Sequence, residues 1–325
     1  MQSDQVNPAW SVKDNYTQDE IEELVSWGTE HLWIQNHQMG DVVPDGGLQI
    51  ITRGEGCYIY DILGNKFIDG MAGLFLKNIG HRWPEIIDAV SNQMNTLAYA
   101  NSGAYRNIPS IHLAKKLSEI TPGNLTRSFF CGGGSEAVEI ALKMARQYQY
   151  IAGNPMKTKI ISRRGQYHGS TSNAMSVGNR GKQAHGIFDS IAPISLQVDP
   201  PYCYRCPWGF EDRTNKNCCM QSPRALENII LGENPDTIAA FIATPVQYGN
   251  QIPPNEYWPE IKALCDKYNI VLIADEIICG FGRLGSWFGM QQFGVVPDIM
   301  TIAKGLGGGV PIGAFMAKEH ACAFE

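Results

Sequence analysis

An acid and a lysine each follow a short apolar run late in this chain. Val271–Ala274 leads into Asp275, and a second apolar run, Ile299–Ala303, leads into Lys304. Continuous apolar runs of this length are typical of strands that are buried on both faces of a sheet. Because the carboxyl ends of parallel strands form the ligand-binding edge of an open sheet, we expect Asp275 and Lys304 to face one pocket.

The two side chains are capable of complementary chemistry. A lysine amine forms a Schiff base with an aldehyde, and a buried carboxylate holds a pyridinium nitrogen protonated. Glycines at 305, 307, 308 and 309 leave room around Lys304 for a ligand. An exposed pair on ordinary loops is the alternative, but the glycine-rich sequence around both residues favours the pocket. The pattern therefore predicts a site for pyridoxal phosphate.

A second glycine cluster predicts a phosphate site. Gly132-Gly133-Gly134 follows a predicted strand end, and Ser135-Glu136 opens a predicted long helix. Free backbone N–H groups at a helix N-terminus favour an anion, and glycines allow it to approach closely. No lysine follows the glycines as it does in a Walker motif, and the Rossmann spacing is absent. Taken alone, the cluster is equally consistent with a tight strand–helix turn.

Two long motifs carry a family resemblance. DEIICGFGRLG at 275–285, followed by PDIMTIAKGLGGGVPIGA at 297–314, resembles the signature of the class III, pyridoxal-phosphate-dependent aminotransferases. The resemblance extends from about Gly54 to the end of the chain. It implies an α/β fold of fold-type I, in which a mostly parallel seven-stranded sheet lies between helices. It also implies a division into residues 1–75, an N-terminal segment with part of a small domain, and residues 76–325, the large cofactor-binding domain.

The resemblance implies roles for individual residues. Lys304 holds the cofactor as a Schiff base and moves the proton, while Asp275 keeps the ring nitrogen protonated. Tyr167 stacks on the ring, with His168 completing that motif, and Ile277 covers the opposite face. The implied cofactor-binding set is Gly134, Ser135, Tyr167, His168, Asp275, Ile277 and Lys304, and the substrate candidates are Phe75 and Trp33.

Two departures from the family pattern bear on the substrate. Thr244 stands where relatives usually carry a glutamate that pairs with a substrate-reading arginine, so that pairing is in doubt here. Ile278-Cys279 replaces the glutamine that is typical of relatives acting on 4-aminobutyrate or ornithine. The sequence looks more like transaminases that move an amino group from ω-amines, ω-amino acids or taurine to pyruvate. We therefore expect an amine donor and a keto-acid acceptor.

Other functions on the same fold stay open. An aminomutase or decarboxylase would use the same cofactor and lysine. The family typically continues well beyond the position of Glu325, which raises a third alternative, a fragment or a catalytically inactive truncated subunit. The resemblance also implies a homodimer.

Four cysteines form a candidate metal cluster. Cys203 and Cys206 are spaced as C-x2-C, and Cys218-Cys219 follow. Four thiolates can bind zinc, but adjacent cysteines rarely act as a tight ligand pair, so reduced packing thiols are the favoured interpretation and no metal is predicted.

Composition limits the remaining classes. The 325 residues carry a net charge of −6, which gives no basic surface for nucleic acid. No apolar run is long enough for a membrane span, and the polar, acidic N-terminus is unlike a secretory signal. Nine cysteines in an enzyme-sized chain suggest reduced thiols, so we expect a cytoplasmic protein.

Overall fold

The computed structural model describes residues 12–13, 15–34, 49–178, 195–210, 220–247 and 249–319. The α-helices longer than four residues in these ranges are α1 (Gln18–His31), α2 (Pro84–Thr96), α3 (Ile108–Ile120), α4 (Gly134–Ile151), α5 (Ser172–Val177), α6 (Gln221–Gly232) and α7 (Tyr257–Lys267). The strands are β1 (Ile51–Glu55), β2 (Tyr58–Asp61), β3 (Lys66–Ile68), β4 (Leu125–Cys131), β5 (Lys159–Arg163), β6 (Ser195–Val198), β7 (Ile238–Ala243), β8 (Val271–Asp275), β9 (Ile299–Ile302) and β10 (Gly313–Lys318).

Backbone contacts divide the chain into two units. One comprises residues up to Leu74 together with Ile79–Ala98, and the other comprises Phe75–Asn78 together with Tyr99 onward. The first unit contains a three-stranded antiparallel sheet in the order β1-β2-β3. Strands β2 and β3 form a hairpin whose turn contains Leu63-Gly64-Asn65. In the same unit His81 Nε2 lies 2.8 Å from Asp69 Oδ2.

The second unit is built on a mostly parallel sheet. Among the described residues it has seven strands in the order β4-β10-β9-β8-β7-β5-β6. Neighbouring strands from β9 to β6 are parallel, and β10 runs antiparallel to both β4 and β9. This confirms the predicted α/β class. The register places Asp275 opposite Thr301, so the ends of β8 and β9 lie side by side.

The central strands are buried on both faces, as their apolar sequences predict. Every residue of β7, β8 and β9 is buried. Successive side chains point to opposite sides, so Ile273 packs in one core cluster with α4, while Leu272 packs in another with α6 and α7. Complete burial of one such side chain contributes about 1.5–3 kcal/mol. The sheet therefore forms a rigid base for the loops at its carboxyl edge.

Local sequence signals account for the helix boundaries. Thr17 and Glu20 form a reciprocal capping box at the start of α1. Helix α7 has Glu260 in its first turn and Lys267 in its last, the charges that suit each end of the helix dipole. Helix α2 begins at Pro84, whose missing N–H is unneeded in a first turn. None of the helices in the described ranges has the length and hydropathy of a membrane span.

Glu276 anchors the loop that follows β8. Its side chain is completely buried, and its two carboxylate oxygens accept the backbone N–H groups of Gly289 and Met290 at 2.8 and 2.7 Å. The pKa of Glu276 is raised from 4.5 to about 7, because burial and, to a smaller extent, the charge of Asp275 raise it by more than the two N–H donors lower it. The glycine-rich loop is thus pinned by a buried acid that titrates near neutrality.

We expect this acid to make stability pH-dependent. Between pH 4.5 and 7 the folded chain retains a proton that the unfolded chain has released, so stability falls as pH rises. For this group alone the decrease is about 3 kcal/mol. In Glu276→Gln the difference in urea unfolding midpoint between pH 5 and pH 8 should shrink. The exposed control Glu260→Gln should keep the wild-type difference. An unchanged difference in Glu276→Gln would contradict the expectation.

Candidate functional site

A cavity of about 330 Å³ lies at the carboxyl edge of the large sheet. Loops that follow β4, β5, β7, β8 and β9 contribute its walls. Its lining residues are Leu76, Gly132, Gly133, Gly134, Ser135, Tyr167, His168, Gly169, Thr244, Asp275, Ile277, Ile278, Ala303, Lys304, Gly309, Val310, Pro311 and Ile312. The parallel strands therefore bring Asp275 and Lys304 into one cavity.

The Asp275 carboxylate is held from three sides. It is 2% exposed. Its Oδ2 lies 2.6 Å from His168 Nδ1, and its Oδ1 accepts the Thr301 hydroxyl and the backbone N–H of Ile277, both at 3.1 Å. Burying a carboxylate without hydrogen bonds is unfavourable by several kcal/mol, and these donors offset that penalty. The carboxylate is therefore stable as an anion with its orientation fixed.

Lys304 stands in an unusual backbone conformation. Its φ of 46° lies in the left-handed region, which disfavours a non-glycine residue by about 1 kcal/mol. The next residue is closely packed, because a Cβ added at Gly305 would lie 2.8 Å from Asn78 Nδ2. Burial lowers the pKa of the Lys304 amine, while the negative charge of Asp275 raises it. The amine is thus easier to deprotonate than a surface lysine and remains under the influence of the carboxylate.

The opposite wall is the N-terminus of α4. Its N-cap residue, Gly133, gives no side-chain cap, and Gly133, Gly134 and Ser135 all line the cavity. The Ser135 hydroxyl oxygen accepts the N–H of Ser170 at 3.0 Å, which leaves its own hydrogen available to a ligand. An uncapped helix start of this kind suits an anionic group.

Tyr167 and Ile277 also line the cavity. The Tyr167 hydroxyl and the Ser170 hydroxyl lie 2.8 Å apart, which fixes the ring. Ile277 Cδ1 lies so close to Gly134 that an added Cβ there would approach it to 2.9 Å. All seven predicted cofactor-binding residues therefore belong to one lining.

The two substrate candidates have different positions. Phe75 belongs to the same unit as the cavity, and its ring lies 5.9 Å from the guanidinium carbon of Arg283, whereas its neighbour Leu76 lines the cavity. Trp33 belongs to the other unit, follows α1 and is 84% exposed. Their roles in substrate binding stay predictions.

The predicted cysteine cluster is only partly within the described residues. Cys203 begins a short 3₁₀ turn and Cys206 follows it, while Cys218 and Cys219 lie outside the described residues. Where side chains are described, no group of three or more His, Cys, Asp or Glu residues is arranged to hold a metal ion.

Sequence reasoning missed the groups that orient the site. Thr301 interrupts an otherwise apolar strand, and that isolated hydroxyl in a buried run was an available signal. Gln166 and Arg163 are buried close to His168. They belong to a polar stretch of sequence without hydrophobic periodicity, so nothing in the sequence predicts that they are buried. Their contact with His168 and Thr244 depends on how β5 and β7 pair.

The sheet and the Lys304–Asp275 cavity together define a fold-type I, pyridoxal-phosphate-type transferase. The family model for "Aminotransferase class-III" matches residues 43–323. The chain belongs to the class III aminotransferase family, in which pyridoxal phosphate is the cofactor.

Characterised relatives in this family act on different amines. The chain is 39% identical over 278 residues to a putrescine–pyruvate aminotransferase of Pseudomonas aeruginosa, covering 84% of this chain and 60% of that protein. It is 40% identical over 282 residues to gamma aminobutyrate transaminase 2 of Solanum lycopersicum, covering 85% and 61%. The chain thus spans about three fifths of these relatives. Overall identity does not separate the two donor classes.

Solved structures share the architecture. An (S)-enantioselective omega-transaminase from Thermomicrobium roseum superimposes with a TM-score of 0.88 at 37% identity, covering 95% of this chain and 68% of that one. An omega transaminase from Pseudomonas jessenii, in complex with PMP, gives a TM-score of 0.86 at 36% identity, covering 92% and 66%.

The residues of this cavity fit pyridoxal phosphate. An uncapped helix N-terminus suits the phosphate, a fixed carboxylate suits the ring nitrogen, and a buried amine suits the aldehyde. Tyr167 and Ile277 supply the apolar and aromatic surface that a flat ring requires. The donor set therefore matches the cofactor group by group.

We expect Gly134→Ala to weaken cofactor binding. The new Cβ would approach Ile277 Cδ1 to 2.9 Å and push that side chain into the cavity. Overpacking of this kind is unfavourable by about 1–3 kcal/mol, so the dissociation constant of pyridoxal phosphate should rise roughly tenfold. Fluorescence titration measures it.

Ile277→Val provides the matched test, because it removes the Cδ1 atom. The double variant Gly134→Ala/Ile277→Val should recover part of the lost affinity, while Ile277→Val alone should change it little. If the double variant instead loses the sum of the two single losses in affinity, the contact between residue 134 and Ile277 Cδ1 is not the cause of the weakened binding.

Proposed function

We propose that this chain provides the cofactor site of an aminotransferase that moves an amino group from an ω-amine or ω-amino acid to a keto acid such as pyruvate. The observation that carries the proposal is the single cavity shared by Lys304, Asp275 and the uncapped start of α4. Family membership supports the reaction type. Similarity to a putrescine–pyruvate aminotransferase and to omega-transaminases supports the donor class.

Each residue of the site has a defined task. When bound, pyridoxal phosphate supplies an electron-accepting ring next to the carbon that carries the amino group. Asp275 holds the proton on the ring nitrogen, because three donors fix its carboxylate as an acceptor. Lys304 acts as nucleophile and then as proton carrier, since its burial favours the neutral amine. Tyr167 and Ile277 would hold the ring, and the first turn of α4 with Ser135 would hold the phosphate.

Thr244 supports the choice of donor. It lines the cavity and is neutral, so the described wall has no carboxylate at the position where relatives usually carry glutamate. At this position the wall therefore does not repel the carboxylate of an ω-amino acid and leaves an apolar amine without a charged neighbour. Ile278, also in the lining, adds apolar surface.

The finer organisation is also part of the proposal. Residues 1–75 would form an N-terminal segment with part of a small domain, and residues 76–325 the large domain, within a cytoplasmic homodimer. A set of exposed apolar side chains in the second unit supports pairing with a second copy. They are Tyr99, Tyr105, Ile108, Ile111 and Phe129, each more than half exposed.

Cofactor attachment is the first test. Borohydride treatment of the protein with bound pyridoxal phosphate should fix the cofactor to Lys304, as read by peptide mass. Lys304→Ala should lose this label, and turnover should fall roughly 10²–10⁴-fold because the proton carrier is gone. Lys143→Ala, on the exposed side of α4, serves as the control with unchanged labelling. Labelling at another lysine, or normal turnover in Lys304→Ala, would overturn the assignment.

The donor panel is the second test. With pyruvate as acceptor we expect turnover of putrescine, as in the similar putrescine–pyruvate aminotransferase, or of ω-amino acids such as β-alanine and taurine, whose anionic ends meet no acid at Thr244. Omitting pyruvate should abolish the reaction. Activity without a keto acid would indicate an aminomutase or decarboxylase, and activity on α-amino acids alone would refute the donor class. A chain that is labelled on Lys304 but turns over no donor would support an inactive subunit.

A further inference from the structure

A completely buried arginine lies behind the cavity. Arg163 ends β5 and is 0% exposed, and its guanidinium carbon lies 5.3 Å from the Trp258 ring centre. One of its terminal nitrogens donates to the backbone oxygen of Thr244. The ion pairs formed by the described residues include none to Arg163. Because a guanidinium has five N–H donors and no acceptor, a side-chain amide beside Arg163 is favoured to turn its oxygen toward it.

This requirement fixes the amide of Gln166. The two ends of that side chain face Arg163 and His168, and both orientations occupy the same space. With the amide oxygen toward Arg163, it accepts from the two guanidinium nitrogens at 2.7 and 2.9 Å and lies 3.1 Å from the Thr244 hydroxyl. The reverse orientation would set an NH₂ group against those donors. In this orientation the amide oxygen of Gln166 also lies 3.3 Å from the amide oxygen of Gln247, which is unfavourable. The two hydrogen bonds from the charged guanidinium outweigh that contact.

The amide in turn determines the protonation of His168. With its oxygen toward Arg163, the Gln166 nitrogen donates to His168 Nε2 at 2.8 Å. A ring nitrogen that accepts a hydrogen bond carries no proton, so the single proton of the imidazole resides on Nδ1. Nδ1 lies 2.6 Å from Asp275 Oδ2 and therefore donates to it. All three residues are nearly or completely buried, so water does not compete for these bonds.

We infer that Gln166 is a positioning residue which relays the fixed charge of Arg163 to His168, holding His168 neutral with its proton on Nδ1 and donating to Asp275. Asp275 then receives a hydrogen bond from a neutral donor and keeps its full negative charge for the ring nitrogen. Thr244 takes part as well, since its carbonyl oxygen accepts from Arg163 and its hydroxyl donates to the amide oxygen of Gln166. The catalytic consequence rests on the proposed function, whereas the protonation state of His168 does not.

Gln166→Glu is the decisive variant because it keeps the shape of the side chain and reverses the relay. A carboxylate accepts from Arg163 and from His168 at once, so Nε2 gains a proton and the ring becomes an imidazolium. Nitrogen-15 NMR of histidine-labelled protein, with and without pyridoxal phosphate, distinguishes these states. The wild type should show His168 protonated on Nδ1 alone, and Gln166→Glu should show both nitrogens protonated at neutral pH.

Turnover supplies the second reading. An imidazolium competes with the cofactor for the charge of Asp275, so kcat in Gln166→Glu should fall about tenfold, the equivalent of one hydrogen bond, with little change in KM. Gln147→Glu adds the same charge on the exposed side of α4 and should change neither reading. The exposed His112 gives an internal reference in each spectrum.

The outcomes separate the two proposals. A wild-type His168 protonated on Nε2, or a spectrum unchanged by Gln166→Glu, overturns the relay whatever the activity. The wild-type spectrum alone decides this if the variant does not fold. Absence of turnover with every donor, beside the expected His168 spectra, overturns the proposed function and leaves the relay intact.

Discussion

The hydrogen bonding of one buried carboxylate is the constraint on which this site depends. Asp275 receives bonds from His168, Thr301 and the backbone of Ile277, and each donor comes from a different segment. A charged carboxylate in the protein interior is stable only while such donors are in place. The register of β8 with β9, and the path of the chain after β5, are therefore conditions for the site.

The same edge of the sheet holds three ionisable groups whose environments differ. Asp275 is surrounded by donors. Glu276, the next residue, faces the other way, and burial raises its pKa toward neutrality. Lys304 is partly buried and its pKa is lowered, although Asp275 opposes the change. Adjacent residues along an extended chain point in opposite directions. At the end of β8, Asp275 therefore faces the cavity and acts on the Lys304 amine, while Glu276 binds the loop that follows.

Arg163 shows how a departure from the family pattern is accommodated. The family resemblance implies a glutamate at the position of Thr244, and a neutral residue there changes the partners available to nearby cations. In this chain the backbone oxygen of Thr244 and the amide oxygen of Gln166 accept from Nη2 and Nε of Arg163, where a carboxylate would otherwise pair with it. A buried charge paired only with neutral acceptors orients its neighbours strongly, since the low local dielectric strengthens each bond. Thr244 therefore affects the orientation of Gln166 as well as the chemistry of the cavity wall.

The sequence by itself determined the strands that carry Asp275 and Lys304, the glycine-rich start of α4 and the α/β class, because apolar runs, helix caps and glycines act over short distances. Only the tertiary structure decided that Thr301 lies beside Asp275, and that Arg163 and Gln166 stand behind His168. Those contacts join residues that are distant in the chain, or depend on which way one amide is turned. Strand register and the need of a buried guanidinium for hydrogen-bond acceptors determine these contacts, and neither can be predicted from a short stretch of sequence.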